Sequence, residues 1–236
     1  MTGKPRAICD RHNRSGGTPR QEETVKATTT ITAQPETTAS RTPRQEGIIK
    51  EAIGLTDVKT LRARARQGIE DGAMTAGYKA KAETVIKLLN DALATEIVCV
   101  LRYKRHYFMA TGISSLSVKG EFLQHATEEQ VHADQLAERI VQLGGEPNFS
   151  PEGMLSRSHS EYVEGASLEE MITEDLIAER IAIDSYREMV AYVGTNDPTT
   201  RKVLEGILAQ EEEHAEDLAS LLKELGPQAH AQDPGR

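Results

Sequence analysis

The sequence predicts an all-α protein, an antiparallel four-helix bundle with one long crossover between its second and third helices. Three observations lead there. Four stretches of ~25–30 residues beyond residue 80 space their apolar residues by alternating threes and fours, the period of a helix that buries one face. The connections inside the first and second pairs of stretches are short, about six and about three residues, so each pair folds as an antiparallel hairpin. Between the pairs lie residues 144–166, which at ~3.3 Å per extended residue run the whole length of helices ~40 Å long.

Composition agrees with this class. Of 236 residues, 38% are hydrophobic, only 4% are aromatic and none is Trp, so the core is built from Ala, Leu, Ile and Val, as helices prefer. No stretch approaches the ~20 consecutive apolar residues of a membrane helix, and no basic-then-apolar leader opens the chain, so a cytoplasmic protein is expected. Cys9 and Cys99 form neither a disulfide framework nor a CxxC knuckle. Residues 1–50 hold 9 Lys and Arg against 5 Asp and Glu, whereas the rest of the chain holds 19 against 32. An acidic body suits cations and disfavours wrapping nucleic acid, which leaves DNA contact to the basic tail alone.

Residues 1–50, rich in Thr, Pro and Arg, lack apolar periodicity and read as a disordered tail. Residues 51–79 read as a short basic helix around 57–73 and a linker, residues 80–225 as the bundle, and 226–236 as a flexible C-terminus. The first long helix runs from Ala80 to Ala110 and stops at Gly112. The second spans Ser117–Leu143 and is closed by Gly144-Gly145 and Pro147. A capping box, Ser167-Leu168-Glu169-Glu170, opens the third, which reaches Gly194. The fourth takes Asp197 as N-cap with Pro198 at its first position, and ends at Gly226-Pro227.

Each apolar seam contains one glutamate near its middle. The first reads Val85, Leu89, Ala92, Glu96, Cys99, Tyr103, and the second Phe122, Ala126, Glu129, Ala133, Leu136, Ile140, Leu143. In the third, Glu179 sits between Leu176 and Ile183; in the fourth, Glu211 and His214 sit between Ile207 and Leu218. A carboxylate is buried only when paired or bound to a metal. Glu129-Gln130-Val131-His132 and Glu211-Glu212-Glu213-His214 both give Glu-x-x-His, whose first and last residues share a helix face. Glu96, Glu129, His132, Glu179, Glu211 and His214 therefore form a candidate site for two divalent cations. Four carboxylates and two imidazoles without thiolate fit iron or manganese better than a closed zinc site, and two single Glu with two Glu-x-x-His is the ligand pattern of di-iron and di-manganese bundles. With both cations bound the site is near neutral; without them, like-charge coupling keeps some of the acids protonated. His106, His125 and His159 lie off these seams or in the crossover and read as surface residues or at most iron-entry groups, and Cys99 reads as an inert buried thiol.

At the segments "LNDALATEIVCVLRYKRHY", "EEQVHADQLAERIVQLGGEPNF", "EDLIAERIAIDSYREM" and "AQEEEHAEDL", residues 80–225 resemble bacterioferritin and the ferritin-like superfamily. The resemblance implies that Glu96 and Glu179 are terminal carboxylates, that Glu129 and Glu211 bridge the metals, and that His132 and His214 complete the ligands. Tyr103 matches a tyrosine beside the site. Haem is not expected, because Gln130 occupies the place of the family's haem methionine. The family's short fifth helix has no counterpart in the nine residues after Pro227, so a cage smaller than 24 subunits, or a dimer, is expected. The function implied is ferroxidase activity, with Fe(II) and dioxygen or hydrogen peroxide as reactants and iron storage or detoxification as the outcome. The alternatives are a di-manganese catalase, a di-iron oxygenase, and a DNA-protecting starvation-type assembly.

Overall fold

The computed structural model describes residues 54–112 and 115–225. The tail expected over 1–50 and the C-terminal segment 226–236 lie outside the described residues. Within them the regular elements are α1 (Val58–Arg64), α2 (Ala82–Met109), α3 (Ser115–Gln142), α4 (Met154–Arg157), α5 (Leu168–Val193) and α6 (Pro198–Leu225), with one 3-10 turn at Ile69–Asp71. The protein is an all-α four-helix bundle made of α2, α3, α5 and α6. None of its described helices is long and apolar enough to cross a membrane.

The expected basic helix at 57–73 is split. Gly68 adopts a left-handed φ of 55°, so the chain leaves α1 and re-enters only as the 3-10 turn. A second departure is α4, a single turn inside the crossover, too short to leave a helical period in the sequence. Its Met154 is buried against Ala94 and Val98 of α2. At the N-terminus of α5, Ser167 Oγ accepts from Glu170 N–H at 3.1 Å, while Glu170 Oε2 accepts from Ala166 N–H at 2.7 Å, one residue earlier than a capping box requires.

The hairpins α2–α3 and α5–α6 each pack along their length, and the bundle closes through α2 against α5 and α3 against α6. Two apolar clusters result, one at each end. The first gathers Val85 and Leu89 of α2, Leu136 and Ile140 of α3, Met189 and Val193 of α5, and Leu204 and Ile207 of α6. The second gathers Tyr103, Phe122, Ile172 and Leu218 from the same four helices. Each large aliphatic side chain so buried contributes about 1.5–3 kcal/mol. The glutamates of the seams lie between these two clusters.

The crossover runs along α2 in a register set by polar side chains. Asn90 Nδ2 donates to the Glu146 carbonyl and its Oδ1 accepts from Asn148 N–H; Thr95 Oγ1 accepts from His159 N–H. Further along, Arg102 Nη1 donates to the Glu161 carbonyl at 2.8 Å and Arg105 Nη1 to that of Glu164 at 2.7 Å. His106 joins them. It is fully buried, not a surface residue as its place off the seam suggests: its Nε2 donates to the Glu164 carbonyl at 3.1 Å and its Nδ1 lies 2.8 Å from Asp175 Oδ2. Arg102 Nε donates to the other Asp175 oxygen, also at 2.8 Å, so one buried acid ties α2 to α5 and to the crossover.

Asp197 plays the matching role at the opposite end. It caps α6 by accepting from Thr200 N–H at 2.9 Å, and it receives Arg139 of α3 at 3.0 Å and the Tyr78 hydroxyl at 2.8 Å. Asp197→Ala removes the cap and the acidic partner of the buried Arg139 guanidinium, leaving it only Thr200 Oγ1 and Gln142 Oε1. The expected loss is about 2–4 kcal/mol, read from urea unfolding followed by circular dichroism. A loss below about 1 kcal/mol would show that the guanidinium finds other partners.

Candidate metal centre

Glu96, Glu129, Glu179 and Glu211 come from four different helices and all meet in the layer between the apolar clusters, each no more than 1% exposed. His132 and His214, one turn after Glu129 and Glu211, are buried beside them. Of the acidic run in α6 only Glu211 turns inward; Glu212 and Glu213 are exposed. The structure thus brings together all six residues selected from the seams.

They divide into two overlapping groups of four, each with its donor atoms within 4.8 Å of one another. One group is Glu96, Glu129, His132 and Glu211; the other is Glu129, Glu179, Glu211 and His214. In the first, His132 Nδ1 lies 3.4 Å from Glu96 Oε2, 3.3 Å from Glu129 Oε2 and 3.0 Å from Glu211 Oε1. In the second, His214 Nδ1 lies 3.2 Å from Glu129 Oε1 and 3.7 Å from Glu211 Oε2. Glu129 and Glu211 therefore each turn one oxygen to either group. That is the disposition of a carboxylate that bridges two cations, whereas Glu96 and Glu179 each belong to one group. Glu96 Oε2, Glu129 Oε1, Glu179 Oε2, Glu211 Oε1 and His214 Nδ1 are buried with no hydrogen-bond partner. Polar atoms left without a partner in a buried layer are costly unless a cation satisfies them, so the residues present fit a pair of metal ions.

Partners outside this set orient it. His132 Nε2 donates to Gln210 Oε1 and His214 Nε2 to Glu128 Oε2, both at 2.9 Å, which directs each Nδ1 at the carboxylates. Tyr103 donates its hydroxyl proton to Glu179, and Tyr186 donates its own to Glu96. These contacts obey a two-fold relation. Tyrosines of α2 and α5 each reach the other helix's glutamate, and the residue before each Glu-x-x-His of α3 and α6 holds the other helix's histidine. Tyr103 was legible as a neighbour of the site. Tyr186, Gln210 and Glu128 were not selected, although a signal was present: Glu-x6-Tyr occurs at Glu96–Tyr103 and again at Glu179–Tyr186. His125, which its place off the seam puts at the surface, is instead fully buried, with its ring stacked on His214 at a centroid distance of 4.0 Å. The helix faces its neighbours over a wider arc than one seam, and His125 lies just beside it.

Burial and the charges of Glu211 and Glu129 hold the Glu96 carboxyl well above its usual range, and burial with Glu129 and Glu211 does the same to Glu179. For Glu129 burial acts in the same sense, but the close approach of the Glu96 carboxyl and of the His132 and His214 rings outweighs it and holds this carboxyl well below its usual range. Glu211 likewise stays below its usual value, through His132, His214 and Glu179, against burial and the charge of Glu129. Burial opposes charge on both imidazoles, yet the Glu129 and Glu211 carboxylates beside them, with Glu96 at His132, raise His132 strongly and push His214 up to about 10. Two neutral acids, two carboxylates and two imidazolium rings leave the layer near neutral. Four carboxylates, two neutral imidazoles and two divalent cations do so as well.

Cys99 is buried next to Arg102 and Ser160, and burial pushes its thiol up. Gln130, at the place of the haem methionine in the family resembled, is exposed and donates to Asp134 Oδ1 at 3.0 Å.

A sequence model of the ferritin-like domain matches residues 86–226. The chain is 30% identical over 153 residues to bacterioferritin of Rhodobacter capsulatus, covering 62% of this chain and 89% of that protein. It is 32% identical over 137 residues to a nutrient stress-induced DNA-binding protein of Synechococcus, covering 57% and 78%. Among solved structures it matches a dodecameric thioferritin, the bacterioferritin-related protein of Bacteroides fragilis, with a TM-score of 0.63 and 29% identity over 65% of this chain and 93% of that one.

Because Glu96, Glu179, His132 and His214 are all held above their usual values and bind a metal only without their proton, zinc uptake is expected to release protons, measured by pH-stat titration. Protons compete with the cation, so affinity falls as pH falls; uptake without proton release would mean that these groups are already deprotonated. Tyr186→Phe frees Glu96 and is expected to weaken cation binding about 10–100-fold by calorimetry, with helical content unchanged.

Proposed function

Because this chain belongs to the ferritin-like family, we propose that it is a ferroxidase, binding two Fe(II) ions as substrate among Glu96, Glu129, His132, Glu179, Glu211 and His214 and oxidising them to Fe(III) for storage and detoxification. One observation carries the reading: Glu129 and Glu211 each present one oxygen to either half of the site, and each half holds one imidazole. Oxygen-rich donors with a single imidazole per cation suit iron, and also manganese. Each Fe(II) gives up one electron. Dioxygen takes two electrons and two protons to form hydrogen peroxide, or hydrogen peroxide takes two of each to form two waters.

The chain's own part is to hold and orient. Glu96 and Glu179 each serve one ion, and Glu129 and Glu211 hold the pair at a fixed separation. Gln210 and Glu128 keep both histidines in the tautomer that presents Nδ1. Tyr103 and Tyr186 fix the outer carboxylates, and the apolar clusters on either side keep bulk water out. The charge balance of the layer favours exchange of protons for cations.

Glu129→Ala and His132→Ala are each expected to abolish rapid Fe(II) oxidation, followed by absorbance of the ferric product, while the far-ultraviolet circular dichroism stays helical. Persistent oxidation in both variants would remove the site assignment. Metal content of the purified protein and its turnover of hydrogen peroxide separate iron chemistry from a manganese catalase. The dodecamer formed by the Bacteroides fragilis relative supports a homo-oligomeric cage for this chain too, and light scattering of the iron-loaded protein reads its size. The name of the Synechococcus relative favours a second reading, DNA association, here through the basic residues 1–50; deleting them then abolishes DNA retardation.

A further inference from the structure

The two-fold relation of the centre fails at one place. On α3, His125 lies four residues before Glu129; the equivalent position on α6, four before Glu211, is Ile207, an ordinary member of the apolar cluster. Glu121 of α3 has Val203 as its equivalent on α6, and Asp217 of α6 has Gln135 on α3. One end of the centre therefore carries Glu, His and Asp where the other end carries Val, Ile and Gln. Packing alone does not ask for a histidine here, since the related position is filled by isoleucine.

The hydrogen bonds of His125 settle which of its nitrogens is bare. Tyr103 has one hydroxyl proton and gives it to Glu179. Towards His125 its oxygen can only accept, and the partner is His125 Nδ1 at 3.3 Å. A neutral ring that donates through Nδ1 has a lone pair at Nε2. That Nε2 is buried without a hydrogen-bond partner. It is aimed at two carboxylates, 3.9 Å from Glu121 Oε2 and 3.8 Å from Asp217 Oδ2, beyond hydrogen-bonding reach. Three electron-rich atoms, all within 4.8 Å of one another, face a common point with no hydrogen bond between them. A first-row divalent cation bonded to each at ~2.1 Å leaves its donors ~3–4 Å apart, the separation at which His125 Nε2 stands from either carboxylate. The side chains of Glu121 and Asp217 are 37% and 48% exposed, so the point is open to solvent, unlike the sealed layer behind it.

We propose that Glu121, His125 and Asp217 form a third cation site, specific for a first-row divalent ion such as Fe(II) or Zn(II), at the solvent-facing end of the centre. The site rests on the two-ion reading only for its neighbour, to which it is joined by the His125–Tyr103–Glu179 chain and by the stacked rings of His125 and His214. Its ligand set is its own.

The test is zinc stoichiometry of the full chain, by calorimetry and by metal analysis after desalting, with circular dichroism confirming that each variant is folded. The wild type is expected to take up about three ions per chain, Glu121→Gln/Asp217→Asn about two, and Glu129→Gln/Glu211→Gln about one. Glu121 and Asp217 are partly exposed, so their exchange for amides tests the site without opening the core. An unchanged count in Glu121→Gln/Asp217→Asn, or a wild type that stops at two, overturns the third site and leaves the two-ion centre standing. A wild type that binds one ion and loses it in Glu121→Gln/Asp217→Asn overturns the two-ion reading and upholds this one.

Discussion

Four carboxylates in one dry layer are the constraint around which the rest of this structure is arranged. A single ionised carboxylate in that position is strongly disfavoured, and four near one another repel as well. The chain meets this by distributing protons unequally. The outer acids, Glu96 and Glu179, are held neutral, while the shared acids, Glu129 and Glu211, stay ionised against two imidazolium rings. Such a distribution lets the layer stand as protein alone without a large net charge. The apolar clusters above and below serve stability and chemistry together: they close the bundle, and they keep out the water that would otherwise screen the charges.

Holding the layer in register takes more than the four seams. Arg102, Asp175 and His106 pin α2 to α5 and to the crossover at one end, and Arg139, Asp197, Thr200 and Tyr78 pin α3 to α6 at the other. Both networks bury an acid, and both give it a full set of donors. They contrast with the central layer, where buried acceptors are left bare. The difference separates charges that serve the fold from charges that await a ligand. The same test distinguishes His106, whose two nitrogens both have partners, from His125, one of whose nitrogens has none.

The two-fold relation inside the centre explains how one chain supplies two nearly equal half-sites. Paired glutamate-tyrosine and paired Glu-x-x-His segments give each half the same donors and equivalently placed orienting partners, Gln210 for His132 and Glu128 for His214. Departures from that symmetry then carry information. Histidine against isoleucine at His125 and Ile207 is such a departure.

The amino-acid sequence by itself determined the helix boundaries to within a few residues, the hairpin pairing, and the six polar residues of the layer. The reason is periodicity. Residues three and four apart share a face whatever the surroundings, so a glutamate in an apolar stripe is visible before any fold is known. The partners contributed by neighbouring helices were decided only by tertiary structure. Tyr186 reads as an ordinary core aromatic until α5 is laid against α2, and Gln210 and Glu128 read as helix surface until α3 meets α6. His106 and His125 read as exposed, because a stripe drawn on one helix says nothing about how wide an arc its neighbours cover. The split of the 57–73 helix and the turn at Met154–Arg157 were hidden for the opposite reason: segments of three to seven residues are too short to show a period, and their conformation comes from a glycine and from what they pack against.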